Sequence, residues 1–399
     1  LEGASRPSNL IRVMPARGSM RNNSSDVVVV GAGAIGAAVA WRCAQRGLSV
    51  ITVDPEPERG AWHTAAGMLA PITELHYAET PLLRLNLDSL ARYPSFAAEL
   101  TEATGLPTGY LECGTVEIAW DGADLAALRD LHAFGTGLGL RSTLLTGREL
   151  RALEPALAAG LPGGMLAESD HQVDPRLLHA ALLAGSASLG VRTVSATASV
   201  DVQGDRAVGV MLEDRTRLAA GTVVLAAGAW SRGIAGVPDS IAPRVRPVKG
   251  QTLRLRLAGA PRLAHVVRGR VKGVPIYVLP RTDGEYVVGA SSEEVGFDRT
   301  PRAGAVYELL RDAQSLLPEL GEAVLAQVCT GLRPGSPDNA PLVGPSGLDG
   351  LVLATGHFRN GILLSPVTAD GVAELITTGA LPEVLAPFLP TRLAKAVTA

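Results

Sequence analysis

Cysteine is scarce in this 399-residue chain: Cys43, Cys113 and Cys329 are its only three, and they lie far apart. Isolated cysteines predict neither a disulfide framework nor a zinc site, and we expect no bound metal. Without a paired-thiol motif the chain does not resemble a disulfide reductase. The cysteine usage is typical of a cytoplasmic protein.

An excess of one charge and a long apolar run are also missing. Lys and Arg total 36 against 39 Asp and Glu, a formal charge of -3, which provides no general attraction for nucleic acid or anionic lipid. The longest apolar stretch, residues 27–40, is interrupted by glycines, so we expect no membrane span. Because hydrophobic residues make up 47% of the chain, it should fold around a core. With nucleic acid and anionic membrane disfavoured by the charge balance, a small anionic or zwitterionic partner is left.

The first 25 residues contain four arginines among Ser, Asn, Gly and Pro, without the apolar segment of a secretory signal. We expect a disordered tail or a remnant of a cloning vector, since Gly18-Ser19-Met20 resembles a vector junction.

A dinucleotide-binding pattern opens the folded part. The β-branched run Val27–Val30 precedes Gly31-Ala32-Gly33-Ala34-Ile35-Gly36, a helix-forming stretch and a second β-branched run that ends at Asp54. Gly31 permits the tight turn, Gly33 lets the backbone approach a pyrophosphate, and Gly36 lets the helix pack closely on the strand. Asp54 can accept a hydrogen bond from a ribose hydroxyl, so the unit predicts a bound dinucleotide.

The C-terminal part favours a flavin over a nicotinamide. A predicted strand, Leu351–Ala354, leads into residues 355–361 and then a helix beginning near Pro366. Backbone N–H groups in that turn, followed by a helix N-terminus, can stabilise negative charge on a reduced isoalloxazine ring.

Two domains built from separated segments are expected. The fold class is α/β, with a Rossmann-type FAD-binding domain and a second substrate domain made of an antiparallel sheet plus helices. We assign residues 26–75, 165–245 and 335–399 to the FAD-binding domain, and residues 76–164 and 246–334 to the substrate domain.

The ordered motifs of the chain resemble those of the FAD-dependent amino-acid oxidases, the family of D-amino-acid and sarcosine oxidases, and are most similar to its glycine oxidase branch. The resemblance covers nearly everything from Asp26 to Ile376. The stretches that carry it are 27–54, Thr64-Ala65-Ala66-Gly67-Met68-Leu69, His171-Gln172-Val173-Asp174-Pro175, Pro247-Val248-Lys249-Gly250-Gln251, Gly331-Leu332-Arg333-Pro334-Gly335 and Gly356-His357-Phe358-Arg359-Asn360-Gly361.

This resemblance implies a set of FAD-binding positions along the chain. The pyrophosphate would lie over Ala34 and Ile35, the adenine near Ser199, and the flavin between residues 66–68 and residues 357–363. Non-covalent FAD is favoured over attachment to a cysteine such as Cys329, whose spacing to Arg333 is shifted relative to covalent relatives. The expected FAD-binding residues are Gly31, Gly33, Ala34, Ile35, Gly36, Asp54, Pro55, Ala66, Gly67, Met68, Ser199, Gly228, His357, Phe358, Arg359, Asn360, Gly361, Ile362 and Leu363.

Three residues are expected to bind the substrate. Arg333 matches the family's carboxylate-binding arginine, and a planar guanidinium can pair with both carboxylate oxygens. Tyr277 matches a tyrosine whose hydroxyl reaches the same carboxylate, and Arg359 can help close the site. The structural alternatives are a loop-bracing or helix-capping role for Arg333, a core position for Tyr277, and pairing with flavin-side groups or a solvated loop position for Arg359. No general acid or base is assigned, and His357 is expected to orient backbone.

Two positions depart from the glycine oxidase pattern. Pro275 stands where the family has a histidine, and Ser292 where it can have a methionine. Both shorten a side chain of the expected pocket, which suggests room for a substituent on the amine nitrogen. Ordinary variation among glycine oxidases is the alternative.

The resemblance implies an oxidase of glycine or an N-substituted glycine. A hydride would pass from Cα to flavin N5, the imine would hydrolyse to glyoxylate plus ammonia or a primary amine, and O2 would become H2O2. Glycine oxidation would supply thiamine thiazole synthesis, whereas an N-alkylglycine would point to specialised metabolism of β-amino acids. A dehydrogenase with another electron acceptor, a non-enzymatic FAD-binding scaffold and a nicotinamide enzyme are the alternatives. Small amino acid, O2 and a second copy of the chain are the expected partners.

Overall fold

The computed structural model describes residues 23–257 and 263–393. The expectation of a disordered tail lies outside the described residues for positions 1–22. Ser24 and Ser25, included in that predicted tail, already belong to the first strand.

Eighteen strands and seven helices make up the described chain. The strands are β1 Ser24–Val30, β2 Val50–Val53, β3 Met68–Leu69, β4 Thr115–Ala119, β5 Thr143–Thr146, β6 Gly163–Ala167, β7 His171–Gln172, β8 Arg192–Val194, β9 Ala198–Gln203, β10 Arg206–Leu212, β11 Arg217–Leu225, β12 Arg246–Arg256, β13 Val266–Val271, β14 Val274–Pro280, β15 Glu285–Gly289, β16 Val324–Gly335, β17 Leu342–Pro345 and β18 Leu351–Thr355. The helices are α1 Ala34–Gln45, α2 Thr80–Thr104, α3 Gly122–Gly137, α4 Gly147–Leu153, α5 Pro175–Ser188, α6 Ala303–Leu316 and α7 Ser365–Thr378, with short 3-10 turns between them.

The first sheet has the predicted Rossmann-type centre. Its order is β17-β18-β11-β1-β2-β8, with the β9–β10 hairpin attached to β11. β1 pairs in parallel with both β2 and β11, and β11 pairs in parallel with β18. The fully buried valines of β1 explain its central position, because a parallel strand covered on both faces is apolar throughout. This arrangement brings the carboxyl ends of β1, β2, β11 and β18 to one edge.

The second sheet also has eight strands, in the order β16-β12-β15-β14-β13-β4-β6-β5. Its pairs are antiparallel except for β4 with β13. The turn Asp283-Gly284 joins β14 to β15 as predicted, and Gly284 has a φ of 85° there. Helix α6 covers one face of this sheet with buried Leu309, Ala313 and Leu316.

Local signals explain where several helices begin. Asp174 caps α5, since its carboxylate accepts hydrogen bonds from the backbone N–H groups of Arg176 and Leu177, and Pro175 occupies the first turn. The conspicuous Asp174-Pro175 sequence is therefore a helix start. Thr146 and Glu149 form a capping box at α4, which no sequence argument had singled out.

Helix α2 packs differently from the predicted division of the chain. Residues 76–164 were expected in the substrate domain, yet Tyr93 and Phe96 of α2 are buried with Trp41 of α1 and with α5 and α7 in the core of the first sheet. Strand β6 likewise crosses the predicted boundary at residue 165 and pairs with β4 in the second sheet. The division of the chain into two domains at the stated boundaries stays a prediction.

Among the described helices, none is by itself long and apolar enough to cross a membrane. Helix α7 meets that test of length and composition only together with the segment Glu383–Leu393, and the two are bent by 104°.

Candidate functional site

A cavity of about 780 Å³ lies between the carboxyl edge of the first sheet and one face of the second. Most residues predicted to bind cofactor or substrate line it, although they come from segments up to 330 positions apart. The predicted lining residues are Gly31, Gly33, Ala34, Ile35, Asp54, Pro55, Ala66, Gly67, Met68, Gly228, Pro275, Tyr277, Ser292, Arg333, His357, Phe358, Arg359, Gly361 and Ile362.

The glycine fingerprint forms a bare cradle at one end of this cavity. Gly31 has a φ of 103°, and a Cβ there would meet the Ala226 carbonyl oxygen at 2.4 Å. A Cβ on Gly36 would lie 1.9 Å from the Gly31 carbonyl oxygen, so this glycine serves close packing and does not line the cavity. The first helical hydrogen bond runs from Ala37 N to Gly33 O, which leaves the preceding amides open toward an anion.

Asp54 is fixed at the end of β2. Its Oδ2 accepts a hydrogen bond from Ala32 N at 2.8 Å, and its Oδ1 accepts one from Glu56 N at 2.9 Å. Each carboxylate oxygen retains a lone pair, so the side chain can still accept from a ribose hydroxyl. The same bond to Ala32 also holds the fingerprint turn in place.

Ser199 is one of the predicted contacts that do not line the cavity. Its hydroxyl donates to the Met211 carbonyl across the β9–β10 hairpin, and the neighbouring Thr197 and Ala198 line the cavity in its place.

An aromatic pair near the fingerprint escaped sequence reasoning. Trp62 lines the cavity and stacks on His179, with ring centroids 3.8 Å apart. His179 Nε2 lies 2.7 Å from the Ala32 carbonyl oxygen. Burial lowers the pKa of His179, so its ring is neutral and its Nε2–H can donate to that carbonyl. No sequence spacing connects residues 62 and 179, and only the fold brings them together.

The turn formed by residues 66–68 is clamped from two sides. Val173 N donates to the Gly67 carbonyl at 2.9 Å, and β3 pairs with β7. Arg281, on the second sheet, donates to the Ala66 and Val173 carbonyls and to Gln172 Oε1. The small-residue motif is therefore held rigidly against the cavity.

The turn after β18 closes the opposite side. Phe358 N donates to the Pro334 carbonyl at 3.0 Å, which ties this turn to the strand that carries Arg333. His357 is buried against α7, with Nε2 3.0 Å from Thr368 Oγ1, and burial lowers its pKa to about 3. A neutral imidazole that is hydrogen-bonded to Thr368 is suited to orienting the turn.

Two predicted residues of this turn do not line the cavity. Leu363 is buried in the core of the first sheet, and its carbonyl accepts from Ser89 Oγ. The Asn360 carbonyl accepts from Leu364 N and helps to start α7.

One row of residues across the second sheet faces the cavity. Register pairs join Glu117 to Arg268, Arg268 to Tyr277, Tyr277 to Gly289, and Gly289 to Thr252. Side chains of directly opposite residues lie on the same face of a sheet. The row explains why Tyr277 and Arg268, on neighbouring strands, reach the same part of the cavity. We call this part, next to the second sheet, the chamber.

Two glycines make room for the predicted substrate ligands. A Cβ on Gly250 would lie 2.5 Å from the Arg333 guanidinium, and a Cβ on Gly289 would lie 2.3 Å from the Tyr277 hydroxyl. Arg333 Nη1 donates to the Ser291 carbonyl at 3.0 Å. Within the described part of the chain no carboxylate lies within 4.0 Å of the Arg333 guanidinium nitrogens, so its charge is available to a ligand.

Burial shapes the electrostatics of Arg333 and Tyr277. Desolvation lowers the pKa of the Arg333 guanidinium, Tyr277 opposes that shift, and the charge of Arg359 adds to it. Burial raises the pKa of Tyr277 to about 12, so its hydroxyl remains a donor throughout the physiological range. The arrangement favours a bound carboxylate, which would remove the cost of an unpaired guanidinium.

Pro275, Ser292 and Arg359 lie at the more open side of the chamber and are exposed. Arg359 stacks over the Phe358 ring, with its Cζ 5.2 Å from the ring centroid. Phe297, unmentioned in the sequence predictions, lines the same region and lies against Trp230.

An ion pair in the chamber wall was also missed. Arg268 Nη1 lies 2.7 Å from Glu74 Oε1, and both side chains line the cavity. Burial acts to lower the pKa of Arg268, but Glu74 and Glu117 more than offset it. Neither residue belongs to a motif, since Glu74 follows the small-residue turn and Arg268 lies in an unremarkable strand.

Three independent features of the cavity suit an FAD molecule. The bare glycine cradle and open helix amides suit a pyrophosphate, Asp54 suits a ribose, and two rigid turns flank a space suited to a flat ring system. Among the described residues no group of three or more His, Cys, Asp and Glu side chains is arranged to hold a metal ion.

Cys329 is buried beside the site without lining it. Its Sγ accepts from Arg176 Nη2 at 3.4 Å, and the cavity wall runs through Gly331 and Arg333 of the same strand. The side chain contacts α5, and this position does not favour a covalent bond to a ligand in the cavity.

Comparisons with known proteins agree with these features. A family model described as "FAD dependent oxidoreductase" matches residues 26–375. Glycine oxidase of Geobacillus kaustophilus is 36% identical over 92% of this chain and 97% of its own length. The crystal structure of glycine oxidase from that organism superposes with a TM-score of 0.84, at 35% identity, over 92% of this chain and 99% of that one.

A bifunctional protein ThiO/ThiG of Synechocystis is 34% identical over 92% of this chain. The matched region is 54% of that relative's length, so the chain spans about half of it.

Asp54→Asn should weaken FAD binding. The amide keeps the shape of the side chain but has a single acceptor oxygen, so a charge-assisted hydrogen bond worth about 1.5 to 3 kcal/mol is lost. We expect the dissociation constant of FAD, measured by fluorescence titration of flavin-stripped protein, to rise about tenfold or more. Asp205→Asn, in the exposed β9–β10 turn, is the matched control. Equal affinities for the two variants would contradict the role of Asp54.

Acid denaturation should release the flavin of the purified holoprotein into the supernatant. The buried position of Cys329 next to Arg176 is the reason for this expectation. Absorbance of the supernatant and of the washed pellet measures the two fractions, and yellow colour retained in the pellet would indicate covalent attachment.

Proposed function

This chain belongs to the family of FAD-dependent oxidoreductases, and from that membership we propose that it oxidises the Cα–N bond of glycine or of an N-substituted glycine. Arg333, which has no carboxylate partner among the described residues, and the nearby Tyr277 hydroxyl carry the proposal. A guanidinium fork and a phenol donor suit the carboxylate of a small amino acid.

The protein contributes binding and orientation to this reaction. Bound FAD supplies the acceptor for the hydride that leaves the substrate Cα. Arg333 and Tyr277 hold the carboxylate, and the turns at 66–68 and 356–361 fix the plane against which Cα is presented. Because the amine binds with its lone pair available, no obligate general base is needed, and His357 is neutral and engaged with Thr368.

Oxygen is the proposed electron acceptor. The imine product would hydrolyse to glyoxylate with ammonia or a primary amine, and O2 would be reduced to H2O2. Two relatives of this chain are named glycine oxidase and ThiO/ThiG, which supports glycine as a substrate and a role in supplying thiamine thiazole synthesis. Transfer to a non-oxygen acceptor is the alternative that peroxide measurement excludes.

An N-substituted glycine is the second candidate substrate. Pro275 and Ser292 line the open side of the chamber and are exposed, so a substituent on nitrogen has space between them. Such a substrate would make the protein a processing enzyme for secondary amines in specialised metabolism, where it removes a glycine unit.

Anaerobic bleaching of the bound flavin tests the proposal directly. Glycine, sarcosine and a longer N-alkylglycine are mixed in turn with the holoprotein, and the loss of the oxidised flavin absorbance is followed. Fastest bleaching by glycine assigns the thiamine-linked reaction, and fastest bleaching by the longer amine assigns secondary-amine processing. Admission of air should then yield one H2O2 per flavin turnover, and a flavin that no amino acid bleaches would refute the proposal.

Arg333→Ala should raise the half-saturating substrate concentration about 10- to 100-fold, the equivalent of a charge-assisted pair worth about 1.5 to 3 kcal/mol. Steady-state peroxide production measures it. The matched control is Arg256→Ala, which removes an exposed arginine of the same sheet that is paired with Asp283. A saturation curve unchanged in Arg333→Ala would remove the carboxylate role.

A further inference from the structure

The substrate chamber has a second polar wall that the proposed carboxylate site does not use. Three carboxylates line the cavity within residues 23–257 and 263–393: Asp54, Glu56 and Glu74. Asp54 and Glu56 lie together at the fingerprint, where Asp54 accepts from Glu56 N. Glu74 is therefore the described carboxylate that lines the cavity away from the nucleotide end.

Glu74 is held in one orientation by buried neighbours. Its Oε1 pairs with Arg268 Nη1 at 2.7 Å, and the two side chains are 20% and 14% exposed. The preceding residues are anchored by Asp170, whose carboxylate accepts from the backbone N–H groups of Ile72 and Thr73 and from the Thr73 hydroxyl. Glu74 N donates to the Ala70 carbonyl at 3.0 Å, which completes a tight turn.

The wall lies close enough to the carboxylate site to act on the same small ligand. Glu74 is among the charges that shift the pKa values of Tyr277 and of Arg333. Arg268 and Tyr277 are direct register partners on β13 and β14. Glu74 and Tyr277 therefore both adjoin Arg268 and line the same cavity as Arg333.

An ion pair in such a wall contributes little to stability, because desolvation offsets most of its attraction. The ion pair matters here for the groups that it offers to a bound ligand. An amino-acid substrate has an acceptor group, the carboxylate, and a donor group, the amine, and each needs a complement in a chamber from which water is displaced. Arg333 and Tyr277 supply donors, whereas Glu74 supplies a carboxylate acceptor.

We infer that Glu74, oriented by Arg268, accepts a hydrogen bond from the substrate amine and makes the chamber selective for glycines that carry an N–H. This inference rests on the proposed function and adds a specificity-determining residue to it. Primary and secondary amines of the glycine class would bind, and isosteric acids without an N–H would lose the contact.

A pair of isosteric ligands separates this contact from the carboxylate site. Sarcosine and methoxyacetate have the same size and the same carboxylate, but methoxyacetate has an ether oxygen in place of the N–H. Dissociation constants of both are measured on the FAD-loaded protein, from the flavin spectral change for methoxyacetate and from anaerobic reduction kinetics for sarcosine.

Glu74→Gln should weaken sarcosine and glycine binding about tenfold or more, since a charge-assisted bond is lost, and should leave methoxyacetate binding within twofold or tighter. Glu74→Asp keeps the carboxylate and should recover part of the amine affinity. Glu79→Gln, the same substitution five residues further and outside the cavity lining, should behave as the unaltered protein.

The double variant Glu74→Gln, Arg268→Met removes the cation that the single variant leaves without its partner. It should show the same amine-specific loss. A parallel loss of sarcosine and methoxyacetate affinity, or no loss of either, would overturn the inference.

The outcomes also separate this inference from the proposed function. If glycine or sarcosine bleaches the flavin, and Glu74→Gln binds these amines as tightly as the unaltered protein does, only the Glu74 contact is refuted. Failure of every glycine to bleach the unaltered holoprotein removes the proposed function and the inference together. Arg333→Ala should weaken sarcosine and methoxyacetate alike, because both present the same carboxylate.

Discussion

Hydrogen bonds from Arg281 and Arg176 tie the site-lining turns to the second sheet, and the site depends on them. Arg281 of the second sheet donates to the Ala66 and Val173 carbonyls, while Arg176 of α5 donates to the His63 carbonyl and to Gln327 of β16. A guanidinium has five N–H donors, and these two arginines direct several of them to carbonyl oxygens of the site-lining segments. These contacts therefore fix the distance between the flavin-flanking turn and the sheet that carries Tyr277 and Arg333.

The same constraint accounts for the placement of glycine in the second sheet. Gly250 and Gly289 lie on the cavity face, where any Cβ would collide with Arg333 or with Tyr277. Glycine in a strand interior costs stability because it has no side chain to pack. Glycine is needed at these two positions because the Arg333 guanidinium or the Tyr277 ring occupies the space that a Cβ would take.

Local sequence patterns were sufficient to predict the motifs at the fingerprint end of the cavity. They were insufficient to predict the Glu74–Arg268 ion pair in the chamber wall. The fingerprint, Asp54 and the turn after β18 are contiguous motifs, and the structure brings them to one edge because parallel strands share their carboxyl ends. The adenine position, inferred from the resemblance as the backbone around Ser199, stays a prediction, and the adjacent Thr197 and Ala198 line the cavity. Glu74 and Arg268 could not be predicted, since the contact between them depends on pairing of β13 with β14 and on the turn anchored by Asp170.

Two cations of the chamber, Arg268 and Arg333, differ in their partners. Arg268 has Glu74 at 2.7 Å and a raised pKa, whereas Arg333 has only the Ser291 carbonyl within hydrogen-bonding distance and a pKa lowered by burial. A bound carboxylate would stabilise Arg333 far more than Arg268, because Arg268 already has a counterion. In the proposed function an amino acid would bind in one orientation, with its carboxylate toward Arg333 and its amine toward Glu74. That orientation would present Cα, which lies between the two groups, to the space flanked by the turns at 66–68 and 356–361.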